Sequence, residues 1–487
     1  MKSSDIQQKS AKNIALMVMF RGLRVGIQFF SLTILARILE PENFGAFALA
    51  NVAIAFIQVL GSAGVGAFIV YYQADDLERK STAAFWLNLF LTTLLIGFFF
   101  ASKNLINYFT ENPDIWPYIM ALLVLFFFQQ VQVIPDSLIE KRLKHPRLFV
   151  RNFILDTMIV VASIVMANHG WGTWSLVLPH VIMGAPRAIS SFFLAQWVPA
   201  LKLYFSDWGG IFKYSSALIL SNFLGYFFIN TDAWVIGHSF GIGQLGYFSM
   251  ANQMANLVGR NVTSIVVMVG KPALSALSAG SDLFCRGYLR MIHMLSVFIC
   301  PTMVGILLIA HEAILVAYGQ KWEKVALILQ LLSIYALVRS ITSPASLVFQ
   351  LKGKPQIILF FQTINVLSYL ILVFSVFHQG FLVLVIVIVS FKSLSGLAFM
   401  YLSLKELNEN FFTFIRSITP AIVSCVLMGG SIIIFKTILE LSPIIALSVY
   451  VPLGVIIYGV SVWFLFPDTV ELIKVLIKKI FSKQGTA

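Results

Sequence analysis

Apolar runs of about twenty residues or more, separated by short polar segments, follow one another almost from end to end of the chain. A bilayer's hydrocarbon core is about 30 Å thick and takes roughly 20 apolar residues per helix, so each run has the length of a spanning helix. The runs lie near 14–38, 44–71, 82–101, 117–135, 148–167, 174–198, 212–237, 245–270, 289–311, 325–350, 356–377, 380–404, 414–436 and 443–466. They are too long for the ~10-residue alternating strands of a membrane barrel. The pattern therefore predicts an all-α integral membrane protein with about fourteen transmembrane helices. A reading with twelve or thirteen spans stays open, because the break at His378–Gly380 is short.

Composition agrees with that pattern. Of the 487 residues 59% are hydrophobic and 11% charged, which leaves too little polar cover for a water-exposed surface. Loop cations set the orientation, since cytoplasmic loops hold the excess of Lys and Arg. With the N-terminus inside, one side collects Arg79, Lys80, Lys141, Arg142, Lys144, Arg147, Arg151, Lys352 and Lys354, among others. The other side holds Lys103, Lys321, Lys324 and Lys436. Both termini are expected in the cytoplasm, and the net charge of +13 is read as topology and not as a nucleic-acid footprint. The polar head lacks a small-residue cleavage site after a short apolar core, so no cleaved signal peptide is expected. Cys285, Cys300 and Cys425 show neither metal-ligand spacing nor an outer-loop pair, which argues against zinc and disulfides. In the final stretch Ile473, Leu476, Ile477 and Ile480 share a helical face amid lysines, as suits a helix lying on an anionic leaflet.

An internal repeat appears at a shift of 201 residues. It lays FGAFALAN (44–51) on LGYFSMAN (245–252), matching Gly45 with Gly246, Phe47 with Phe248, Ala50 with Ala251 and Asn51 with Asn252. Two six-helix lobes are implied, 1–205 and 206–405, with residues 406–487 supplying two further spans and a basic tail. Six is even, so both lobes enter from the same side as parallel repeats, an arrangement used by transporters with a midplane site.

Cations inside the spans bear on what such a site would hold. Arg24, Arg187, Arg260, Arg339 and Lys392 fall well within apolar runs, where a central cation costs roughly 2.5–3.5 kcal/mol unless it meets water or a partner. Asp156 and Asp232 are the acids of the spans, too few to match them all. Each arginine continues a polar stripe at helical spacing: Arg24 with Gln28 and Ser31, His180 with Gly184, Arg187 and Ser191, Asn252 with Asn256, Arg260 and Ser264, and Arg339 with Ser343, Ser346 and Gln350. A wet electropositive cavity accounts for the set, and arginine's planar fork suits phosphate oxygens. Any single arginine has the alternative of an ion pair with Asp156 or Asp232.

The stretches LARILEPENFGAFALA (35–50), NTDAWVIGHSFGIGQLGYFSMAN (230–252) and YGQKWEKVALILQLLSIYALVRS (318–340) resemble the polysaccharide transport (Wzx-type) flippases of the multidrug/oligosaccharidyl-lipid/polysaccharide exporter superfamily. Among these the chain looks closest to the colanic-acid-like exopolysaccharide group. The resemblance implies translocation of an undecaprenyl-diphosphate-linked oligosaccharide from the cytoplasmic to the periplasmic leaflet of a bacterial inner membrane, by alternating access. It implies a basic cavity at Arg24, Arg187, Arg260 and Arg339, with Lys392 added on charge and Gln28, Asn252 and Asn256 meeting sugars. It also implies downstream polymerase or export machinery as a partner. Two positions depart from the family pattern, Ser62 in place of an acid and His238 in place of an arginine. No resident cofactor is expected; a proton or Na+ at Asp232 or Asp156 is the open question of coupling. The rival on the same fold is a MATE-type drug/cation antiporter, which the positive cavity disfavours. A membrane enzyme is disfavoured by the shortness of the outer loops and by the absence of a catalytic motif.

Overall fold

The computed structural model describes residues 22–61, 64–72, 76–104, 113–142, 145–278 and 280–471. Among these residues the chain is helical and contains no strand. The helices are α1 (22–38), α2 (Pro41–Gly61), α3 (Val65–Tyr71), α4 (Leu77–Ala101), α5 (Trp116–Lys141), α6 (His145–Asn168), α7 (Trp174–Ala195) and α8 (Phe205–Ser275). They continue as α9 (Asp282–Ala317), α10 (Val325–Thr342), α11 (Ala345–Leu351), α12 (Pro355–Val376), α13 (Phe381–Glu406), α14 (Phe411–Ile438) and α15 (Pro443–Leu465). Eleven described segments are long and apolar enough to cross a membrane, and each overlaps one expected run. Of the other three runs, the first starts outside the described residues and the seventh and eighth lie on α8. Ser62 and the tail face at 473–480 are outside the described residues.

Local backbone chemistry explains where the runs divide. The run at 44–71 is two helices, α2 and α3, because Gly64 takes a left-handed conformation (φ 67°) that stops helix propagation. At the short break near His378 a single 3-10 turn, Phe377–Gln379, ends at Gly380 with φ 114° and ψ 159°. That conformation is open to glycine alone, and it makes α12 and α13 separate helices. Within α8 the backbone leaves helical geometry at Gly241 (φ 83°, ψ 167°), between the two runs it carries. The stripe expected from Arg339 to Gln350 is also interrupted: Ser343 and Pro344 separate α10 from α11 although both keep right-handed helical backbone, because Pro344 has no N–H to bond back into α10.

By compactness the chain divides into Met1–Gly246 and Tyr247–Ala487. In the first unit α5 and α6 pack on α7 and α3 packs on α5, around a core that includes Ile69, Phe85, Ile134, Leu138 and Ile211. In the second, α9 packs on α10, α14 and α15, around Phe284, Tyr288, Met400, Leu404 and Phe414. Outward faces stay apolar, with Leu367 and Ile371 on α12 and Val455, Ile456 and Phe464 on α15 all exposed. Such a surface is stable against lipid tails, and the protein is a multi-pass membrane protein.

The glycines aligned by the repeat meet one another's helices inside the first unit. A Cβ on Gly45 would lie 1.8 Å from the carbonyl oxygen of Ile242, and a Cβ on Gly246 would lie 1.9 Å from that of Pro41. The shift of 201 that carries Gly45 onto Gly246 also carries Pro41 onto Ile242. The contact is therefore reciprocal, as contacts across a two-fold relation are.

Several loop cations brace helix ends. Lys141 donates to the carbonyls of Tyr72 and Ile69, and Arg142 donates to that of Ala195 at 2.6 Å. Lys80 and Arg79, at the start of α4, reach Asp207 in the first turn of α8 at 2.8 and 3.0 Å. The Lys80 hydrogen bond, seconded by Arg79, holds the Asp207 carboxyl below its ordinary range. Because the folded pKa is depressed, this clamp stabilises fully above the unfolded value and is lost as pH falls through the folded one. Between about pH 5 and about pH 3 the wild type should lose melting temperature in detergent more steeply than Asp207→Asn. Parallel curves for the two proteins would show that the clamp contributes nothing.

Candidate functional site

The expected cations of the first unit converge on one carboxylate. Asp156 on α6 lies 2.5 Å from Arg187 Nη2 on α7 and 2.9 Å from Arg24 Nε on α1. Two guanidinium groups against one carboxylate leave one positive charge over. Asp156 and Arg187 are partly buried, whereas the Arg24 side chain is 48% exposed and Gln28, one turn further along α1, is exposed too. His180 donates its Nδ1–H to the carbonyl of Leu176 at 2.9 Å. Ser191, the last member of the Arg187 stripe, is instead taken up by Arg151.

Arg151 is a difference from the sequence reading, which placed it in a loop. It is buried on α6 and makes a two-pronged pair with Asp136 at 2.9 and 3.1 Å, with Ser191 Oγ at 2.5 Å. The helical continuation of α5 through Pro135 brings Asp136 into the protein, where Arg151 meets it. Such a planar, fully engaged fork is an internal brace.

The second unit gathers a different set of groups. Asn252 and Asn256 sit one turn apart on α8, and Asn256 Nδ2 donates to Asn252 Oδ1 at 2.7 Å. Asn256 Oδ1 accepts from Arg339 Nη2 on α10. Close approach of the two helices permits this, since Gly259 leaves room for Ser340, whose Oγ would lie 3.1 Å from a Cβ there. The Arg339 guanidinium carbon stands 5.3 Å from the centroid of the Tyr335 ring. Lys392 Nζ on α13 lies 6.0 Å from the same centroid and 4.9 Å from that of Tyr369 on α12. Four expected residues, Asn252, Asn256, Arg339 and Lys392, thus form one network with two tyrosines that the sequence reading passed over. Tyr335 was visible in principle, one helical turn before Arg339 on the same face.

Arg260, one turn beyond Asn256, is exposed and makes no ion pair or hydrogen bond among the described residues. Arg339 likewise meets an amide and a ring but no carboxylate among those residues. Asp232 is buried on α8. The first unit therefore holds its cations with a carboxylate, and the second holds Arg339 with groups that leave its charge intact. Guanidinium groups of that kind suit an anion with several oxygens.

A family model described as "Polysaccharide biosynthesis protein" matches residues 34–327. The chain is 24% identical over 347 residues to the succinoglycan biosynthesis transport protein ExoT of Rhizobium meliloti (strain 1021), covering 71% of this chain and 69% of that protein. It is 22% identical over 345 residues to the lipopolysaccharide biosynthesis protein WzxC of Escherichia coli (strain K12), covering 68% of each. Among solved structures, lipid II flippase MurJ in its inward closed conformation superposes with a TM-score of 0.73 at 14% identity, covering 93% of this chain and 99% of that one. The fold is thus shared with a membrane flippase.

Proposed function

Since the chain belongs to the polysaccharide biosynthesis protein family, we propose that it is a flippase for an undecaprenyl-diphosphate-linked oligosaccharide in the synthesis of a surface polysaccharide. It carries the unit from the cytoplasmic to the periplasmic leaflet by alternating access of lobes 1–205 and 206–405, with both termini in the cytoplasm of a bacterial inner membrane. The similarity to a succinoglycan biosynthesis transport protein and the fold of a lipid II flippase support this reading. The observation that carries it is Arg339 held by Asn256 and Tyr335, with Arg260 one turn from that same Asn256 and neither arginine paired with a carboxylate among the described residues.

In the second unit the diphosphate meets Arg260, Arg339 and Lys392; in the first unit Arg24 and Arg187 present an anion with the one charge that Asp156 does not cancel. Asn252, Asn256 and Gln28 donate to and accept from sugar hydroxyls. The prenyl tail stays in lipid, no covalent bond changes, and a polymerase or export complex removes the delivered unit. Asp232, buried on α8, and Asp156 are the two carboxylates at which a proton or Na+ would couple.

In cells, Arg260→Ala is expected to insert normally and to accumulate lipid-linked repeat units on the cytoplasmic side, with surface polysaccharide reduced at least tenfold. Truncation removes a guanidinium–phosphate contact of the charge-assisted kind, worth about 1.5–3 kcal/mol. Wild-type polysaccharide levels in that strain would exclude Arg260 as a head-group ligand.

A further inference from the structure

We infer that Tyr335 is a positioning residue for the anionic head, its ring setting Arg339 and Lys392 and its hydroxyl donating to the same head. The inference rests on the head-group reading above and adds a residue to it. Tyr335 is partly exposed on α10, and its hydroxyl makes no hydrogen bond among the described residues. Its ring lies 5.3 Å from the Arg339 guanidinium and 6.0 Å from the Lys392 ammonium, while the fully buried Tyr369 sits 4.9 Å from that ammonium and fixes it from α12.

The choice of holder decides what the cations can do. A carboxylate beside Arg339 would fix it firmly but cancel the charge an anion needs, as Asp156 partly does for Arg24 and Arg187. An aromatic face attracts a cation through its quadrupole and has no net charge to subtract. An amide oxygen behaves the same way, and Asn256 supplies one. Two like charges close to one another repel and swing apart on long flexible stems, a tendency that a shared ring opposes. Arg339 commits one N–H to Asn256 Oδ1, and its remaining donors have no acceptor among the described residues. The guanidinium, held by the ring, and the phenol hydroxyl then offer adjacent donors to one set of phosphate oxygens.

The test is binding of undecaprenyl diphosphate by the full-length chain in detergent. Phenylalanine at 335 keeps the ring and removes the hydroxyl, so Tyr335→Phe should bind about 3- to 10-fold more weakly. Mono-, di- and trifluorinated phenylalanines at 335 keep the shape while draining the ring's negative face. Affinity should then fall step by step, about 5-fold across the series. A packing role would leave that series flat, with every member melting at the same temperature. A flat series alongside weakened binding by Arg339→Gln overturns the role of Tyr335 and spares the head-group reading. Unweakened binding by Arg339→Gln overturns both.

Discussion

Gly45→Ala is expected to lower the melting temperature by about 3 to 8 degrees and to cut the yield of folded protein. On an ordinary helix the same change stabilises by about 1 kcal/mol, because alanine loses less backbone entropy than glycine. Here the sign reverses, as the new Cβ would stand 1.8 Å from the carbonyl oxygen of Ile242. A backbone atom cannot rotate aside as a side chain does, so α2 and the Ile242–Gly246 turn must separate. Overpacking typically costs about 1–3 kcal/mol, and a clash against main chain belongs at the upper end or beyond. Gly246→Ala should behave alike, with its Cβ 1.9 Å from the Pro41 oxygen. The double variant should cost less than the two singles combined, since one separation relieves both clashes. A Cβ at Gly97 or Gly459 would meet nothing within 4 Å among the described residues, so these positions serve as controls that should tolerate alanine. Heating detergent-solubilised protein and measuring what remains monodisperse gives the comparison. If Gly45→Ala survives as well as Gly97→Ala, the close contact is not present in the protein.

Asp156→Asn should destabilise the first unit by about 2 kcal/mol and reduce export more than it reduces stability. The asparagine keeps the shape but leaves Arg24 and Arg187 facing each other without an anion between them. Breaking a fully buried pair costs about 3–5 kcal/mol. That figure needs discounting, because Arg187 is 25% exposed and Arg24 half exposed, and water screens exposed pairs heavily. Arg187→Gln added to Asp156→Asn should recover most of the stability, since it removes the charge stranded by the first change. It should not recover export. Melting temperatures and surface polysaccharide of the single and double variants settle the matter, and a fully exporting Asp156→Asn strain would make the triad purely structural.

The spans were legible because a bilayer dictates length and hydropathy together, so α4, α7 and α13 fall close to where apolar runs lie. Their interruptions were not. Gly64 and Gly380 look in sequence like any other of the 31 glycines, and only the backbone φ separates them from helical ones. The polar stripe through Asn252, Asn256 and Arg260 could be read from period alone, as could Arg24 and Arg187. Their partners could not: Asn256 and Arg339 are 83 residues apart, and which helices adjoin is a tertiary fact. Asp136 is not counted among the acids of the spans because the apolar run stops at 135, whereas α5 runs on to Lys141. Tyr335 was hidden by its own hydrophobicity, since a ring within an apolar run reads as packing until a cation is found on its face.

The reciprocal glycine contact also restricts how such a gene can drift. Each glycine rests on the carbonyl four positions before the other, so adding or deleting one residue between 41 and 45, or between 242 and 246, misaligns both contacts in a single event. Substitutions elsewhere in the two halves can accumulate independently, but at these four-residue intervals the duplicated segments must keep the same spacing as one another.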